Sequence, residues 1–167
     1  MNNAITELRQ YLQDRVTLLK EIRPNQGWKY TGFEELILDC GKAMEAKPLP
    51  TTIKRSLPKG CYWNSQRLAF KQSDLIYVEG YAIAEGIPLA IAHAWLMTTE
   101  GYAVDPTWDT PGTAYLGIPL STKWVKSIFA ARKQQGREDD LSILEGNYIE
   151  EFSLLKEGLP DDAYKAS

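Results

Sequence analysis

The sequence has few of the residues with which small proteins form disulfides or bind metals. Only two cysteines and one histidine occur among its 167 residues, so a framework of several disulfides is impossible. A zinc site could be assembled only from Cys61, His93 and an acidic residue such as Asp105. These residues lack the paired ligand spacing that is typical of zinc sites.

Long apolar runs and long basic runs are also missing. No stretch approaches the roughly 18 apolar residues of a membrane span, and the first residues are amphipathic and charged rather than signal-like. The 19 basic and 22 acidic residues give a net charge of −3. We therefore expect no membrane partner and no nucleic-acid partner. The scarcity of cysteine suits a cytoplasmic protein, although a protein exported by a dedicated secretion machine would have the same features.

The composition is that of an ordinary globular protein, with 44% hydrophobic and 25% charged residues. Apolar residues at helical spacing predict a first helix of about twenty residues that ends before Pro24. A capping-box pattern at Thr31 and Glu34 predicts a second helix, with Cys40 and Met44 on its apolar face. Cys40 is then expected to be a small buried residue.

The middle of the chain has the pattern of β-structure. A proline-rich loop over residues 47–60 leads to a short helix that begins at Cys61. Alternating segments from residue 75 to residue 108 then predict an antiparallel meander, and residues 111–121 predict an additional edge strand. Ser121 or Thr122 is the expected cap of a further helix, and the remainder from Asp139 predicts one or two short helices and a polar tail.

These elements predict a single α+β domain over residues 1–167. Its N-terminal part, residues 1–47, is helical, and residues 58–120 form the core that contains the sheet. Residues 121–167 supply C-terminal helices and a tail.

Cys61, His93 and Asp105 are the residue types that thiol acyl-transfer chemistry requires. A thiolate attacks a carbonyl carbon, an imidazole takes and returns the proton, and a carboxylate fixes the imidazole tautomer. At the first position of a helix, Cys61 would have its thiolate favoured by the helix dipole, and its backbone N–H could stabilise an oxyanion. A lone strand histidine is more often a packed residue than a catalyst, so this hypothesis depends on where Asp105 lies.

The hairpin between the strands of His93 and Asp105 provides a geometric test. A two-residue loop, Glu100 and Gly101, would place the two residues on opposite faces of the sheet. A three-residue loop that begins at Thr99 makes them diagonal neighbours on one face. Because glycine is preferred at the left-handed third position of such a loop, we predict the three-residue loop.

The segments "GCYWNSQRLA" and "YVEGYAIAEGIPLAIAHAWLMTTEGYAVDPTW" resemble the core of the transglutaminase-like cysteine superfamily. The resemblance lies in the order of four short motifs: Gly60-Cys61, Gly80-Tyr81, His93-Ala94-Trp95 and Val104-Asp105-Pro106-Thr107. It implies a papain/transglutaminase-like fold in which a nucleophile helix packs on a small antiparallel sheet. It also implies that Cys61 is the nucleophile, His93 the general base and acid, and Asp105 the residue that orients His93.

The resemblance also raises the question of a second oxyanion donor. Members of the superfamily often use a tryptophan or glutamine upstream of the cysteine for this purpose, and the chain has Gln26 and Trp28 there. Asn64 and Gln66 lie close to Cys61 in sequence. We select Trp28 and Asn64 as the candidate oxyanion or substrate-binding residues.

Three tryptophans, Trp63, Trp95 and Trp108, could line an apolar substrate slot, and Trp95 is the one that we select. Each of them is equally well explained as a core residue. Glu79 is expected to face solvent, as strand glutamates usually do. The chain has no calcium-loop pattern, and it is short for the cofactor-binding lobe of an arylamine acetyltransferase, so no metal and no cofactor is expected.

These features predict a cysteine-dependent enzyme that forms a thioester with a protein or peptide carboxamide. Release by water would make it a protease, an amidase or a glutamine deamidase, whereas release by an amine would make it a transamidating enzyme. Hydrolysis or deamidation is favoured, because a small domain without accessory modules has little means of holding a second substrate. The alternative is a catalytically silent protein-binding module of the same fold, and the oligomeric state is left open.

Overall fold

The computed structural model describes residues 3–23, 27–137 and 141–164, and in them helices surround one five-stranded antiparallel sheet. This is the predicted α+β class. The helices are α1 (Asn3–Ile22), α2 (Phe33–Cys40), α3 (Cys61–Ala69), α4 (Thr122–Gln134) and α5 (Ser153–Lys156), with a 3-10 turn at Glu145–Tyr148. The strands are β1 (Lys42–Met44), β2 (Leu75–Ile83), β3 (Ala90–Thr98), β4 (Ala103–Val104) and β5 (Ala114–Leu120). None of the helices in the described ranges combines the length and the apolar character that crossing a bilayer requires.

The first helix has the predicted length, since α1 spans 20 residues. It buries Leu8, Leu12 and Val16, which are spaced four residues apart and so lie on one face. The expected stop at Pro24 lies outside the described residues.

The predicted capping box of the second helix is wrong. Gly32 is the N-cap of α2 and makes no side-chain cap bond. Glu35, rather than Glu34, accepts a hydrogen bond from the Thr31 N–H at 2.7 Å. Glu35 also pairs with Lys20 of α1 at 2.6 Å, so this carboxylate ties α1 to the start of α2.

The second helix is also shorter than predicted, because the chain turns into β1 after Cys40 and places Met44 in a strand. Cys40 is half-buried rather than fully buried. Its Sγ lies 3.6 Å from the hydroxyl of Tyr30. This contact with the Tyr30 hydroxyl holds the Cys40 thiol at the margin of the core.

The predicted edge strand lies inside the sheet instead. The order of the strands is β1-β5-β2-β3-β4, so β5 is covered by β1 on one side and by β2 on the other. All seven residues of β5 are buried, as expected for a strand that is packed on both faces. β1 has only three residues, too few to give a recognisable alternation in the sequence.

Two glycines let the central strands pack closely. Gly80 of β2 lies opposite Gly117 of β5 and opposite His93 of β3. A Cβ on Gly80 would lie 2.2 Å from the Leu116 carbonyl oxygen, and one on Gly117 would lie 2.5 Å from the ring of Trp95. The absence of a side chain on Gly80 therefore leaves room for the backbone of β5, and its absence on Gly117 allows Trp95 to pack against the sheet.

Candidate active site

The hairpin between β3 and β4 has the predicted three-residue loop. Met97 pairs with Ala103, and the loop over residues 99–101 is closed by a 2.9 Å hydrogen bond from the Thr98 N–H to the Tyr102 carbonyl oxygen. Gly101 has a φ of +87°, the left-handed conformation that glycine adopts without strain. The register prediction is confirmed.

This register brings the side chains of His93 and Asp105 together. Nε2 of His93 lies 2.7 Å from Oδ2 of Asp105, and both side chains are buried. Trp108 stacks on the imidazole with a centroid distance of 4.0 Å and an interplanar angle of 11°. The pair is thus shielded from water, which strengthens the electrostatic attraction between an imidazolium and a carboxylate.

Asp105 is held in place by several donors besides the histidine. Its Oδ1 accepts the backbone N–H groups of Thr107 at 2.7 Å and Trp108 at 3.2 Å. Its Oδ2 also accepts the hydroxyl of Tyr115 at 3.1 Å. Burial alone would raise the pKa of Asp105, but the His93 bond and charge and these backbone donors lower it below its ordinary value. The carboxylate is therefore ionised and fixed in direction.

Tyr115 is part of this site and was not anticipated from the sequence. Its hydroxyl accepts a 2.9 Å bond from the Gly112 N–H while it donates to Asp105. Burial and the neighbouring Asp105 charge raise the pKa of Tyr115, so the phenol stays a donor. The residue lies in β5, which had been expected at the edge of the sheet.

The third member of the group is Cys61, the first residue of α3. Cys61 is half-buried, and it lies close enough to His93 to contribute to raising the pKa of the imidazole. Burial would lower the pKa of His93, but the hydrogen bonds and negative charges of Asp105 and Cys61 outweigh it and raise this pKa to about 9. The imidazolium is thus the favoured form of His93 at neutral pH.

The start of α3 also provides donors for a developing negative charge. Gly60 is the N-cap and contributes no side-chain cap bond. The first N–H groups of a helix have no partner within the helix. The backbone N–H of Cys61 is therefore the oxyanion donor that this geometry supports, since it lies on the nucleophile's own residue.

Two consecutive side chains of α3 fix Cys61 relative to the other two residues. Asn64 donates from Nδ2 to Oγ1 of Thr107 at 3.0 Å and to the Leu57 carbonyl oxygen at 2.7 Å. Ser65 donates to the carbonyl oxygen of Ala94, next to His93, at 3.2 Å. Both amide hydrogens of Asn64 are thereby used. Asn64 therefore holds α3 against Thr107, and its expected role in oxyanion or substrate binding stays a prediction.

Trp95 is not the wall of an open slot. It is completely buried, and its Nε1 donates to the sulfur of Met44 at 3.3 Å. The absence of a side chain on Gly117 makes room for the indole. Trp63, by contrast, is 56% exposed on α3. Trp108 stacks on His93 more closely than Trp95 does, with centroid distances of 4.0 Å and 6.3 Å.

Trp28 lines a cavity whose walls do not include Cys61, His93 or Asp105. It stacks on Phe152 with a centroid distance of 5.7 Å, and the cavity of about 510 Å³ is also lined by Phe33 and Glu34. The expected role of Trp28 as an oxyanion donor stays a prediction. Gln26, the other upstream candidate, lies outside those residues.

Glu79 is buried rather than solvent-facing. Its carboxylate accepts four hydrogen bonds: from the hydroxyls of Tyr77 at 2.6 Å and Ser142 at 2.8 Å, and from the N–H groups of Ile143 at 2.6 Å and Leu144 at 3.0 Å. Burial raises the pKa of Glu79 above its ordinary value, against the effect of these donors. Glu79 therefore joins the C-terminal part of the chain to β2.

A small cavity lies beside His93. It measures about 140 Å³, and its walls include Tyr62, Glu79, Tyr81, His93 and Glu145, room for about four or five water molecules or one side chain. Tyr62 follows Cys61 directly and donates to Glu145 at 3.0 Å. The cavity shares Phe33 and Glu34 with the larger one that Trp28 lines.

Comparisons of the chain with protein-family models, with curated proteins and with solved structures found no match. The site is accordingly interpreted from its own geometry. In the ranges 3–23, 27–137 and 141–164, no group of three histidine, cysteine or acidic side chains is arranged to hold a metal ion.

Proposed function

We propose that the protein is a cysteine-dependent acyl-transfer enzyme with a papain/transglutaminase-like core. The observation that supports this proposal most strongly is the buried 2.7 Å pair of His93 and Asp105, with Cys61 at the start of α3 among the groups that raise the pKa of the same imidazole. Packing of the core alone does not account for a half-buried thiol, a charged imidazole and an ionised carboxylate that are neighbours. Nucleophilic catalysis requires all three.

In this mechanism the thiolate of Cys61 attacks the carbonyl carbon of a protein or peptide carboxamide. The carbonyl oxygen becomes an oxyanion, which the backbone N–H of Cys61 stabilises. His93 gives its proton to the leaving nitrogen as the C–N bond breaks, so ammonia or an amine departs and a thioester remains. His93 then takes a proton from water, and the resulting hydroxide attacks the thioester carbon. The C–S bond breaks, a carboxylic acid is released, and the Cys61 thiolate is restored beside the protonated His93.

The narrow cavity beside His93 supports a substrate that inserts a single side chain. A glutamine side chain or a short peptide segment meets this requirement, so deamidation or hydrolysis is the reaction that we propose. Transamidation would use the same thioester with an amine in place of water. The protein substrate is the expected partner, and the chemistry uses no cofactor.

The proposal is tested by intact-mass spectrometry of the protein after incubation with a mixture of glutamine-containing peptides. We expect a thioester adduct on the wild-type chain, ammonia release, and the mass change of deamidation or cleavage in a peptide. Cys61→Ser should abolish all three, whereas the matched variant Cys40→Ser should retain them. If neither the peptides nor a protein lysate gives an adduct or a product, the proposal is contradicted and the silent binding module is favoured.

A further inference from the structure

A groove on the outer side of the nucleophile helix is separate from the triad. This α3–α4 groove measures about 370 Å³, and residues on and after α3 and α4 line it. Its aromatic residues are Trp63, Phe70 and Phe129. Trp63 is 56% exposed although it is a large apolar side chain, and the two phenylalanines are half-buried. Exposed aromatic residues that converge on one concave surface are typical of interaction sites.

The charge around the groove has a single sign. Arg67, Lys71, Lys133 and Arg137 line it, and none of the lining residues is acidic. Residues 61–73 and 122–137, which supply all of its lining residues except Leu141, contain no aspartate or glutamate, although the whole chain has a net charge of −3. Of the bases in these segments, Arg132 is buried and paired with Glu150 at 2.7 Å. Arg67, Lys71 and Arg137 therefore form a positive rim around an aromatic floor.

We propose that the α3–α4 groove docks an acidic segment of a protein partner, with an aromatic or large aliphatic side chain inserted between Trp63 and Phe129. Charge complementarity favours glutamate and aspartate in the partner, because their carboxylates are attracted to the basic side chains of the rim. The concave shape favours a protruding side chain over a flat lipid surface. It also favours a peptide over a single nucleic-acid strand, since only Trp63 presents an open ring for stacking.

The docking proposal rests on the proposed function, in that the partner is a protein substrate of Cys61. Trp63 lies two residues after Cys61 on the same helix, so an acidic segment bound in the groove is tethered close to the nucleophile. Tethering raises the effective concentration of a neighbouring carboxamide at the thiol. The groove would then explain how a small domain selects its substrate without an accessory module.

The experiment measures binding on the Cys61→Ala chain by fluorescence anisotropy, so that binding is read without turnover. The probe is a fluorescent glutamate-rich peptide with one central phenylalanine. We expect saturable binding that weakens as ionic strength rises and a loss of about tenfold in affinity when Trp63 is changed to alanine. The double variant Lys71→Glu/Arg137→Glu should weaken binding by at least about tenfold. Lys54→Glu/Arg23→Glu, with the same change of charge away from the groove, should leave the affinity unchanged.

Three further probes decide among partner classes and local competitors. Affinity for a peptide with alanine in place of phenylalanine should fall, and a single-stranded oligonucleotide or vesicles containing phosphatidylserine should bind more weakly than the acidic peptide. The acidic residues 138–140 lie in sequence between Arg137 and Leu141, which both line the groove, and they are outside the described residues. Their change to amides should leave peptide binding as tight or tighter, and weaker binding would count against the proposal.

Equal affinity in the wild-type groove and in both groove variants overturns the docking proposal, as does tighter binding of the oligonucleotide or the vesicles. Because this assay needs no chemistry at Cys61, its failure is distinct from failure of the adduct experiment. Adduct formation without peptide binding overturns docking alone. Binding without any adduct overturns the proposed catalysis and leaves a binding protein.

Discussion

The sharpest quantitative expectation concerns the lone histidine. Asp105 faces Nε2 of His93 at 2.7 Å in a buried pair, and the pKa of His93 is raised to about 9. Relative to an ordinary histidine pKa of 6.5, this difference corresponds to about 3 kcal/mol of preference for the imidazolium in the folded protein. Asp105→Asn keeps the side-chain shape and an oxygen for the N–H groups of Thr107 and Trp108, but it removes the negative charge.

We therefore expect the pKa of His93 to fall from about 9 to about 7 or below in Asp105→Asn, because burial then opposes the charged imidazole with less compensation. The measurement is an NMR titration of the imidazole C–H signals, which belong to His93 alone because the chain has one histidine. Asp109→Asn is the matched control, since that carboxylate side chain is 98% exposed. A His93 pKa that stays near 9 in Asp105→Asn would refute the assignment of Asp105 as its partner.

The same shift has a consequence for stability. The folded-state pKa of His93 is higher than its unfolded value, so its contribution is fully present below about pH 6.5 and is lost as the pH rises through about 9. In wild type, the free energy of unfolding should therefore decrease across this interval. Asp105→Asn should show a much smaller decrease over the same interval, and equal slopes in the two chains would contradict the linkage. Chemical denaturation at a series of pH values provides the measurement.

Three further changes test the surroundings of the site by chemical denaturation. Gly80→Ala should lower the free energy of unfolding by about 2 to 3 kcal/mol, because the new Cβ meets a backbone carbonyl. Gly60→Ala is the control and should change it little, since a Cβ there has only ordinary van der Waals contacts. Similar losses in the two variants would contradict this interpretation. Glu79→Gln should cost about 2 kcal/mol and increase proteolysis near residues 142–145, because an amide cannot accept all four donors; an unchanged stability would argue against the network. Tyr115→Phe should lower the free energy of unfolding by about 1 kcal/mol and raise the pKa of Asp105, because one hydrogen bond to the carboxylate is lost. Carboxyl NMR measures this pKa, and an unchanged value would contradict the assigned hydrogen bond.

Local rules account for the parts of the structure that the sequence predicts well. Gly101 at the third position of a short loop determined the hairpin register, and that register placed His93 and Asp105 on one face. The spacing of Leu8, Leu12 and Val16 determined the buried face of α1. Each of these inferences depends on residues that are close together in the chain.

The errors arose where distant residues decide the outcome. Glu79 is buried because its donors Ser142, Ile143 and Leu144 come from a segment more than sixty residues later, and no pattern near Glu79 signals them. Tyr115 reaches Asp105 because β5 lies inside the sheet, a placement that strand order alone determines.

The structure shows what the side chains of Asn64 and Trp95 contact, whereas their expected roles in oxyanion or substrate binding stay predictions. Asn64 uses its amide to hold α3 against Thr107, and Trp95 fills the space that Gly117 leaves open. Sequence indicates which residue types are available near a nucleophile. Only the packing determines which of them face the reacting atoms and which position them.

The central claim, that Cys61 is an activated nucleophile, is tested most directly by comparing the alkylation rates of the two thiols. Cys40 and Cys61 are both half-buried, so accessibility alone predicts similar rates with iodoacetamide. We expect Cys61 to react at least about tenfold faster than Cys40 at neutral pH, because an imidazolium beside a cysteine favours the reactive thiolate, and we expect this excess to vanish in His93→Ala. Equal rates at the two cysteines in the wild-type chain, or an excess that persists without His93, would contradict the account.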